Sequence, residues 1–491
     1  MKYKIVSSIL GIFLMILSFF LSLFFLISII IYPEEAQGWA FLKSFLIVSI
    51  FGLVLFLLAG KFKEDDVSYK EVFAVIGIGW IIISFFGALP GYFSGDIPYF
   101  TDAYFESMSG FTTTGASILE NVESFGKTVL LWRSFTHWLG GMGFIILSLA
   151  ILPALGIGGM QLYIAEVPGS SSSKLVPRIG QTAQMLYIVF ILISLAEVMS
   201  LRLAGMSWFE SFCHSFGTMG TGGFSPLNDS IGQYAKTGIS HAWLFEIIIC
   251  IFMFIAGSNF SLHSRALKGN LKVYLHDPEF KFYVLLIIFA VVSISCDLFM
   301  RGIYASFLDN IRYAGFSVVS IVSTTGFVTA DFNTWPEYSK YLLFFLTLIG
   351  ASAGSAGGGI KILRIMTLVK QGLAEISHIV HPKKIYVIRF GNHYISREVL
   401  YSMNTFMILY MACYVLGILA LSFTGLDMQT IATMVAACFS NVGTGFGKVG
   451  PTHNFGFLPD YAKWILSCMM VLGRLEIFPI LVLSLPGTWT K

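Results

Sequence analysis

The sequence predicts an all-α membrane protein that contains an internal repeat. Hydrophobic residues make up 56% of the 491 residues and charged residues 12%, whereas soluble domains carry about 25% charged residues. Apolar runs such as Ile5–Ile31 and Phe41–Leu58 reach or exceed the roughly 18 residues that mark a membrane-spanning helix. A water-soluble fold has no interior large enough to hide so many of these runs.

Apolar stretches along the whole chain predict the spanning segments. They are 7–32, 41–60, 71–90, 127–152, 182–203, 240–260, 281–301, 338–379, 397–423 and 460–486. The first run follows Lys2 and Lys4, but it is too long for a secretory signal and no small-residue cleavage site follows it, so we expect a retained helix. Lysine and arginine concentrate in alternate connections, which predicts that these connections and both termini are cytoplasmic.

Four of the remaining connections end in clusters of threonine and glycine. The clusters are Thr112–Ala116, Met219–Phe224, Ser323–Phe327 and Val442–Phe446. An amphipathic stretch with the length of a half-helix precedes each of them, at Tyr99–Phe111, Trp208–Thr218, Ala305–Val322 and Asp427–Ser440. The repetition predicts the fold class: four pseudo-repeats (helix–pore loop–helix) around a central pore, preceded by two extra transmembrane helices.

The same repetition predicts the division of the chain. We expect the two extra helices in 1–66, the first pore repeat in 67–160, the second in 161–278, the third in 279–392 and the fourth in 393–491.

The four clusters indicate a filter for a monovalent cation. Non-helical backbone inside a membrane leaves carbonyls and amides without partners unless it is buried in protein or lines water. Four such stretches on one axis can replace the hydration shell of a cation with carbonyl oxygens, as in potassium-channel filters. Glycine permits the required backbone conformations and threonine adds a hydroxyl acceptor. Ordinary turns that cap membrane helices are the alternative, and four clusters in register disfavour it.

Potassium is the expected ion, although the choice between potassium and sodium does not follow from these residues. The residues expected to bind it are Thr112, Thr113, Thr114, Gly115, Gly220, Thr221, Gly222, Gly223, Thr324, Thr325, Gly326, Phe327, Gly443, Thr444, Gly445 and Phe446. The clusters are not identical, so we expect less uniform ion sites than in a filter of four identical strands.

The apolar segment 338–379 is interrupted by a glycine-rich stretch, Gly350–Gly359. Because a helix loses about 1 kcal/mol for each glycine in place of alanine, we expect an intramembrane loop that obstructs the pore and moves to gate it. Close helix packing through the spacing of Gly350 and Gly354 is the alternative. The residues expected in the gate are Gly354, Gly357, Gly358, Gly359 and Arg474.

Arg474 lies in the last apolar segment, where an arginine is costly unless it faces water or a partner. One interpretation is that it holds carbonyls of the glycine-rich loop and repels cations. The other is a local ion pair or a side chain that snorkels to the cytoplasmic surface.

The chain resembles the superfamily of Trk, Ktr and HKT cation transporters, and within it the bacterial Trk-type potassium uptake subunit. The stretches that carry the resemblance are Phe105–Gly115, Thr136–Gly143, His214–Ser225, Ser323–Phe327 and Gly357–Lys361. Val167–Gly169 with Pro177–Arg178, and the two extra helices, favour the Trk branch.

The resemblance implies potassium uptake across the inner membrane through a pseudo-fourfold pore with a gating loop. It implies one filter glycine per repeat, at Gly115, Gly222, Gly326 and Gly445, with Thr444 where related proteins often place proline. It also implies a homodimer and a cytoplasmic ring of nucleotide-binding regulatory subunits. On this interpretation the chain carries potassium but no organic cofactor, and the nucleotide belongs to the partner subunit.

Other functions have less support in the sequence. His137, His214 and His241 lack the spacing of metal ligands or of a catalytic arrangement, so we expect no enzyme. Glu106 and Glu210 are expected to cap or hydrogen-bond near the pore helices, or to lend negative charge to the outer mouth of the pore. Low charge and membrane burial exclude a nucleic-acid partner. We expect the protein to be surrounded by membrane lipid.

The main alternative is a proton- or sodium-coupled potassium symporter, or a sodium-translocating relative. Glu197 and Glu246 are the candidate proton sites. Lys361, Arg364, Lys383 and Lys384 are expected to form a basic cytoplasmic face that contacts lipid headgroups or docks a regulatory subunit.

Overall fold

The computed structural model describes residues 2–59, 69–154, 176–383, 388–390 and 393–489. Over these residues the chain is mostly helical. The one pair of strands they contain, Arg389–Phe390 and His393–Tyr394, is antiparallel. Val167–Gly169 and Lys384, which entered the sequence-based predictions, lie outside the described residues.

Two long helices, Tyr3–Ile30 and Gly38–Ala59, precede the repeats. They pack closely because glycines face each other: a Cβ atom on Gly11 would lie 2.8 Å from the carbonyl oxygen of Gly52. Small residues allow membrane helices to approach in this way.

Each of the four repeats consists of an opening helix, a short pore helix and a closing helix. The opening helices are Tyr69–Gly87, Val176–Leu203, Pro278–Met300 and Arg397–Leu421. The pore helices, numbered 1 to 4, are Phe100–Phe111, Trp208–Met219, Phe307–Val322 and Met428–Phe439. The closing helices begin with Lys127–Ala154, Ala242–Ala256, Glu337–Ile349 and Asp460–Arg474.

Shorter elements connect these helices. The remaining α-helices are Leu89–Phe93, Gly232–Lys236, Phe260–Leu267, Val273–His276, Ile362–Val380, Phe478–Ser484 and Pro486–Trp489. The 3-10 helices are Val122–Ser124, Phe332–Thr334, Ser422–Thr424 and Gly447–Val449.

Polar residues fix the start of three pore helices. Ser207 and Glu210 form a capping box at pore helix 2, Ser306 accepts a hydrogen bond from an amide of pore helix 3, and Asp427 does so at pore helix 4. Such caps satisfy amides that have no partner within the helix. The expectation that Glu210 caps a pore helix is confirmed.

Two closing helices bend sharply where the sequence predicted continuous segments. The second turns by 100° between Ala256 and Phe260, and the fourth by 118° between Arg474 and Phe478. The predicted segment 460–486 is therefore a bent pair of helices and not one continuous helix. Glu476 and Ile477 have φ angles of 53° and 68°, a conformation that ends a right-handed helix. The predicted interruption of 338–379 is confirmed, since the helix ends at Ile349 and a new one begins at Ile362.

Helices of spanning length are common in the described part of the chain. Six of them are long and apolar enough to cross a membrane, or up to eight if each bent pair forms one span. The predicted segments 127–152 and 338–379 correspond to Lys127–Ala154 and to the interrupted pair of helices.

Candidate functional site

The pore helices are followed by four short backbone segments that meet around one axis. We call them ring segments 1 to 4; they are Thr112–Ala116, Gly220–Phe224, Ser323–Phe327 and Ser440–Thr444. In each segment one glycine lies against a carbonyl oxygen of the next segment, so closely that an added Cβ atom would fall under 3.0 Å from it. The glycine–carbonyl pairs are Gly115 with Gly222, Gly223 with Thr325, Gly326 with Val442, and Gly443 with Thr114. The fourth pair returns to segment 1, so the ring is closed.

All four ring segments share one backbone pattern, in which a residue and a glycine two positions later both have positive φ. The first residues are Thr113 (55°), Thr221 (56°), Thr324 (61°) and Asn441 (54°), and the glycines are Gly115 (82°), Gly223 (76°), Gly326 (80°) and Gly443 (80°). Residues with a Cβ atom rarely adopt this conformation, so its recurrence defines which positions are equivalent.

The sequence-based prediction placed the filter glycine of repeat 2 at Gly222 and that of repeat 4 at Gly445. The backbone equivalence corrects both assignments. Gly223 and Gly443 occupy those positions instead. In ring segment 4 the left-handed residue is Asn441, a residue type that tolerates this conformation, so the segment begins before the Thr444–Gly445 pair. Gly445 lies beyond the ring, where its amide donates to the carbonyl oxygen of Val449 at 2.9 Å.

Hydrogen bonds direct the amides of the ring segments towards the pore helices. The bonds are Thr114 to Ser109 (2.8 Å), Gly222 to Gly217 (2.9 Å), Thr325 to Ser320 (2.9 Å) and Val442 to Ala437 (2.8 Å), each from an amide to a carbonyl oxygen. The carbonyl oxygens of these same four residues are the ones that pack against the neighbouring glycines. They accept no hydrogen bond from the described part of the chain, so their lone pairs remain available to a ligand.

Side chains of the ring segments are buried and bond to one another. The hydroxyl of Thr112 lies 2.8 Å from that of Thr114, and Ser323 and Thr325 repeat this contact at 2.8 Å in segment 3. Asn441 donates to the Thr114 hydroxyl at 2.9 Å and so links segment 4 to segment 1.

The predicted aromatic site residues do not contribute side chains to the ring. Phe327 is 1% exposed and packs edge-on against His214. Phe446 packs against Phe332, with ring centroids 5.3 Å apart. Both side chains belong to the packed interior, so only backbone atoms of these residues could contact an ion.

The glycine-rich stretch forms a buried loop, Gly350–Lys361, that lies against the ring. We call it the glycine loop. The amide of Gly358 donates to the hydroxyl of Thr324 at 2.8 Å, and a Cβ atom on Gly357 would lie 2.9 Å from the carbonyl oxygen of Ser323. Gly350 and Gly354 both have positive φ, 73° and 71°, and the segment is not helical, so the alternative of close helix packing through these glycines is wrong.

Arg474 is buried and bonds the glycine loop to the first repeat. Its guanidinium donates to the carbonyl oxygen of Ala356 at 2.7 Å and to that of Gly140 at 2.9 Å. With 2% of its surface exposed, it neither snorkels nor reaches the cytoplasmic surface. The interpretation that Arg474 holds a carbonyl of the loop is confirmed.

Two further cations hold the same loop, which corrects their assignment to a cytoplasmic face. Lys361 and Arg364 are 3% and 5% exposed. Lys361 donates to the carbonyl oxygen of Gly357, and Arg364 donates to that of Ile360 at 3.2 Å and pairs with Glu476. The sequence does not reveal the burial of Lys361 and Arg364, because the loop carbonyls become their partners only when the chain turns back at the loop.

Comparison with known proteins places this geometry in a family. The family model described as "TrkH: Cation transport protein" matches residues 37–487. The Trk system potassium uptake protein TrkH of Salmonella typhimurium is 37% identical over 100% of both chains. TrkH of Escherichia coli K12 is 38% identical over 93% of this chain and 94% of its own.

A solved structure agrees with these relatives. The crystal structure of the potassium transporter TrkH from Vibrio parahaemolyticus has a TM-score of 0.90 and 33% identity, and the match covers 100% of both chains. The chain belongs to the TrkH family of cation transport proteins. The predicted family, the four-repeat membrane fold and the prediction that the protein is a transporter and not an enzyme are therefore confirmed.

The TrkH-family fold places the carboxylates named from the sequence in different surroundings. Glu246 forms a bidentate pair with Arg312 of pore helix 3, with both oxygens at 2.6 Å from the guanidinium. Glu197 is fully buried beside Ser215 and Thr218 of pore helix 2. Glu106, a residue of pore helix 1, accepts hydrogen bonds from the amide of Ile118 and from Arg133, which agrees with the expected hydrogen-bonding role.

The corrected register generates a first prediction. We expect Gly443→Ala to lower cation flux by at least about tenfold, because its methyl group would collide with the backbone of ring segment 1 and displace carbonyl oxygens that would coordinate the ion if the ring acts as a filter. Gly445→Ala is the matched control, since its nearest contacts include side chains of Val449 and Thr433 and its φ is not positive. The measurement is cation flux into proteoliposomes that contain equal amounts of monodisperse protein. Equal losses in both variants would contradict the corrected register, and a larger loss in Gly445→Ala would favour the register centred on Gly445.

Proposed function

We propose that this chain carries potassium into the cell across the inner membrane, through a channel-like path in which the ring segments are the selectivity filter. The observation that carries the proposal is the closed ring of Thr114, Gly222, Thr325 and Val442 carbonyl oxygens. The relatives named above are potassium uptake proteins, which supports potassium as the ion.

The arrangement of the pore helices supports a site for a cation. The helices end at Phe111, Met219, Val322 and Phe439, each immediately before its ring segment. A helix carries a partial negative charge at its C-terminus, so four such ends directed at one ring favour a positive ion there. Carbonyl oxygens then replace the water that a potassium ion leaves behind.

The ring segments supply different side-chain groups at the same level. Thr114 and Thr325 add hydroxyls, whereas the equivalent Gly222 and Val442 do not. Backbone oxygens are therefore the ligands that all four segments supply, and hydroxyls add to them on two sides only. This asymmetry supports the expectation of less uniform sites.

The glycine loop is proposed as the gate. It lies against the ring at Thr324 and carries the contacts of Arg474, Lys361 and Arg364. Three cationic side chains next to the path oppose the passage of a cation by electrostatic repulsion, and the loop itself fills space beside the ring. Opening requires that the loop leave its carbonyl partners.

The proposal extends to the assembly. We place both termini in the cytoplasm, because basic residues concentrate in the connections on that side. We also propose a homodimer and a cytoplasmic ring of nucleotide-binding regulatory subunits, with the nucleotide on the partner and only potassium on this chain. The helix Ile362–Val380 has exposed apolar side chains, including Leu373 and Ile376, and follows the gate directly, which supports its use in such contacts.

A second candidate function is coupled symport. Glu246 is neutralised by Arg312, which leaves Glu197 as the buried carboxyl that could carry a coupled proton. Passive entry already has a driving force of about 2.3 kcal/mol per charge for each 100 mV, so the channel-like path needs no coupling.

Ion flux under separately imposed gradients distinguishes the two candidates. We expect potassium flux into proteoliposomes to follow the membrane potential and to be independent of a proton or sodium gradient. Glu197→Gln should then leave the voltage dependence unchanged. Strict dependence on a proton gradient that is lost in Glu197→Gln would establish symport instead.

Removal of Arg474 tests the gate. We expect Arg474→Ala to raise basal potassium flux several-fold, because the loop loses its bond to the first repeat and the path loses a buried positive charge. Arg474→Lys should have an intermediate effect, since an ammonium group cannot reproduce the fork of the guanidinium. Arg301→Ala, which removes a largely exposed arginine paired with Asp297, is the control. Unchanged basal flux in Arg474→Ala at normal expression would contradict the gating role.

A further inference from the structure

A buried ion pair lies behind the first two ring segments. Glu106 of pore helix 1 and Arg133 of the first closing helix are joined by an Oε1–Nε distance of 2.5 Å, with side chains 5% and 7% exposed. The positions equivalent to Glu106 in the other pore helices, counted back from the shared glycine, hold His214, Ser317 and Met434. The carboxylate therefore belongs to one side of the ring only.

The carboxylate holds ring segment 1. Its Oε2 accepts a hydrogen bond from the amide of Ile118 at 2.9 Å, and its Oε1 accepts one from the hydroxyl of Ser117 at 3.0 Å. Both residues follow directly after Ala116, the last residue of the segment. The exit of segment 1 is thus anchored to pore helix 1 by charge-assisted hydrogen bonds, which are stronger than neutral ones.

The guanidinium holds ring segment 2. Arg133 donates to the carbonyl oxygen of Ser225 at 3.0 Å, and its guanidinium carbon Cζ lies 3.5 Å from the centre of the Phe224 ring. The same ring packs 4.0 Å from His137, whose Nδ1 lies 2.8 Å from the carbonyl oxygen of Gly110 in pore helix 1. One side chain therefore fixes both the backbone and the aromatic residue at the exit of segment 2.

We propose that the Glu106–Arg133 pair is a clamp that determines ion selectivity by fixing the separation between ring segments 1 and 2. The inference rests on the proposed function of the ring as a potassium filter. Each partner holds a different segment and the two hold each other, so the spacing of the segments depends on the pair. A wider ring coordinates a dehydrated potassium ion less well and discriminates less against sodium.

At the exits of the other ring segments the contacts between neighbours are neutral. The ion pairs Glu246–Arg312 and Lys463–Asp102 also join neighbouring repeats, but they lie in the N-terminal halves of pore helices 3 and 1. Segments 2 and 3 are joined beyond the ring by the bond from the amide of Gly232 to the carbonyl oxygen of Val328 at 3.0 Å. Segments 3 and 4 are joined by Asn333, which accepts from the amide of Gly447 at 3.0 Å. Removal of one partner from a buried pair leaves an uncompensated charge, so the exits of segments 1 and 2 should be sensitive to a single substitution at Arg133.

Potassium-to-sodium permeability ratios, taken from reversal potentials of the purified full chain in lipid bilayers, test the clamp. This ratio does not depend on how many molecules are folded. We expect Arg133→Gln to lower it by about tenfold, the size expected for loss of hydrogen bonds to a charged group. Arg133→Lys should lower it less, because it keeps the charge but cannot satisfy Glu106 and Ser225 together.

Two further variants separate a clamp from a simple charge effect. The charge-balanced double variant Glu106→Gln/Arg133→Gln should remain poorly selective, since the charge-assisted bonds of both anchors are gone although no charge is uncompensated. Lys236→Gln, which breaks an exposed pair with Asp229, should match the unsubstituted protein. Ratios within about twofold of that protein in both Arg133 variants, or recovery in the double variant, would overturn the clamp. If the unsubstituted protein shows no preference for potassium, the proposed function fails instead.

Discussion

Backbone carbonyls without hydrogen-bond partners, held inside a membrane, are the constraint on which the rest of the structure depends. Each such group costs several kcal/mol in hydrocarbon unless protein, water or an ion surrounds it. The ring meets this constraint by turning its amides back to the pore helices and packing its carbonyls against glycines of the neighbouring segment. The glycines are required by contact as well as by conformation, because a Cβ atom at Gly115 or Gly326 would meet the next carbonyl. Closure of the ring and the left-handed backbone are therefore two aspects of one packing solution.

The same constraint explains why charged residues surround the glycine loop. A non-helical loop at this depth exposes carbonyls of its own, and Arg474, Lys361 and Arg364 donate to three of them. The amide of Ala353 is satisfied at the carboxylate of Glu279, at 2.7 Å. Burial of a cation and burial of a free carbonyl each cost free energy. A hydrogen bond between the two reduces both costs. The loop and its cations consequently depend on one another, so the arrangement of the loop rests on a few bonds.

Sequence reasoning found the features that repeat and missed those that depend on distant partners. The pore helices were placed to within two residues, because amphipathic stretches before each Thr/Gly cluster recur along the chain. The register of ring segments 2 and 4 was misassigned because the Thr–Gly pair is conspicuous, whereas equivalence is set by the left-handed residues Thr221 and Asn441. Asparagine before Val442–Gly443 was the signal that could have revealed it. The buried positions of Lys361 and Arg364 carry no such local signal, since their carbonyl partners are created by the loop.

A single chain can keep the backbone of its ring nearly fourfold while each junction uses different chemistry. The four ring glycines have φ angles between 76° and 82°, yet an ion pair supports one junction, an asparagine another, and Asn441 with Thr114 a third. The side chains that follow the ring glycines in segments 1 to 3, Ala116, Phe224 and Phe327, are not all alike, and all three are buried in the interior. The backbone carbonyls are thus the feature that all segments share, and the side chains behind them can differ from one side to the next without changing that backbone. A tetramer of identical subunits lacks that freedom, because any substitution would alter all four sides at once.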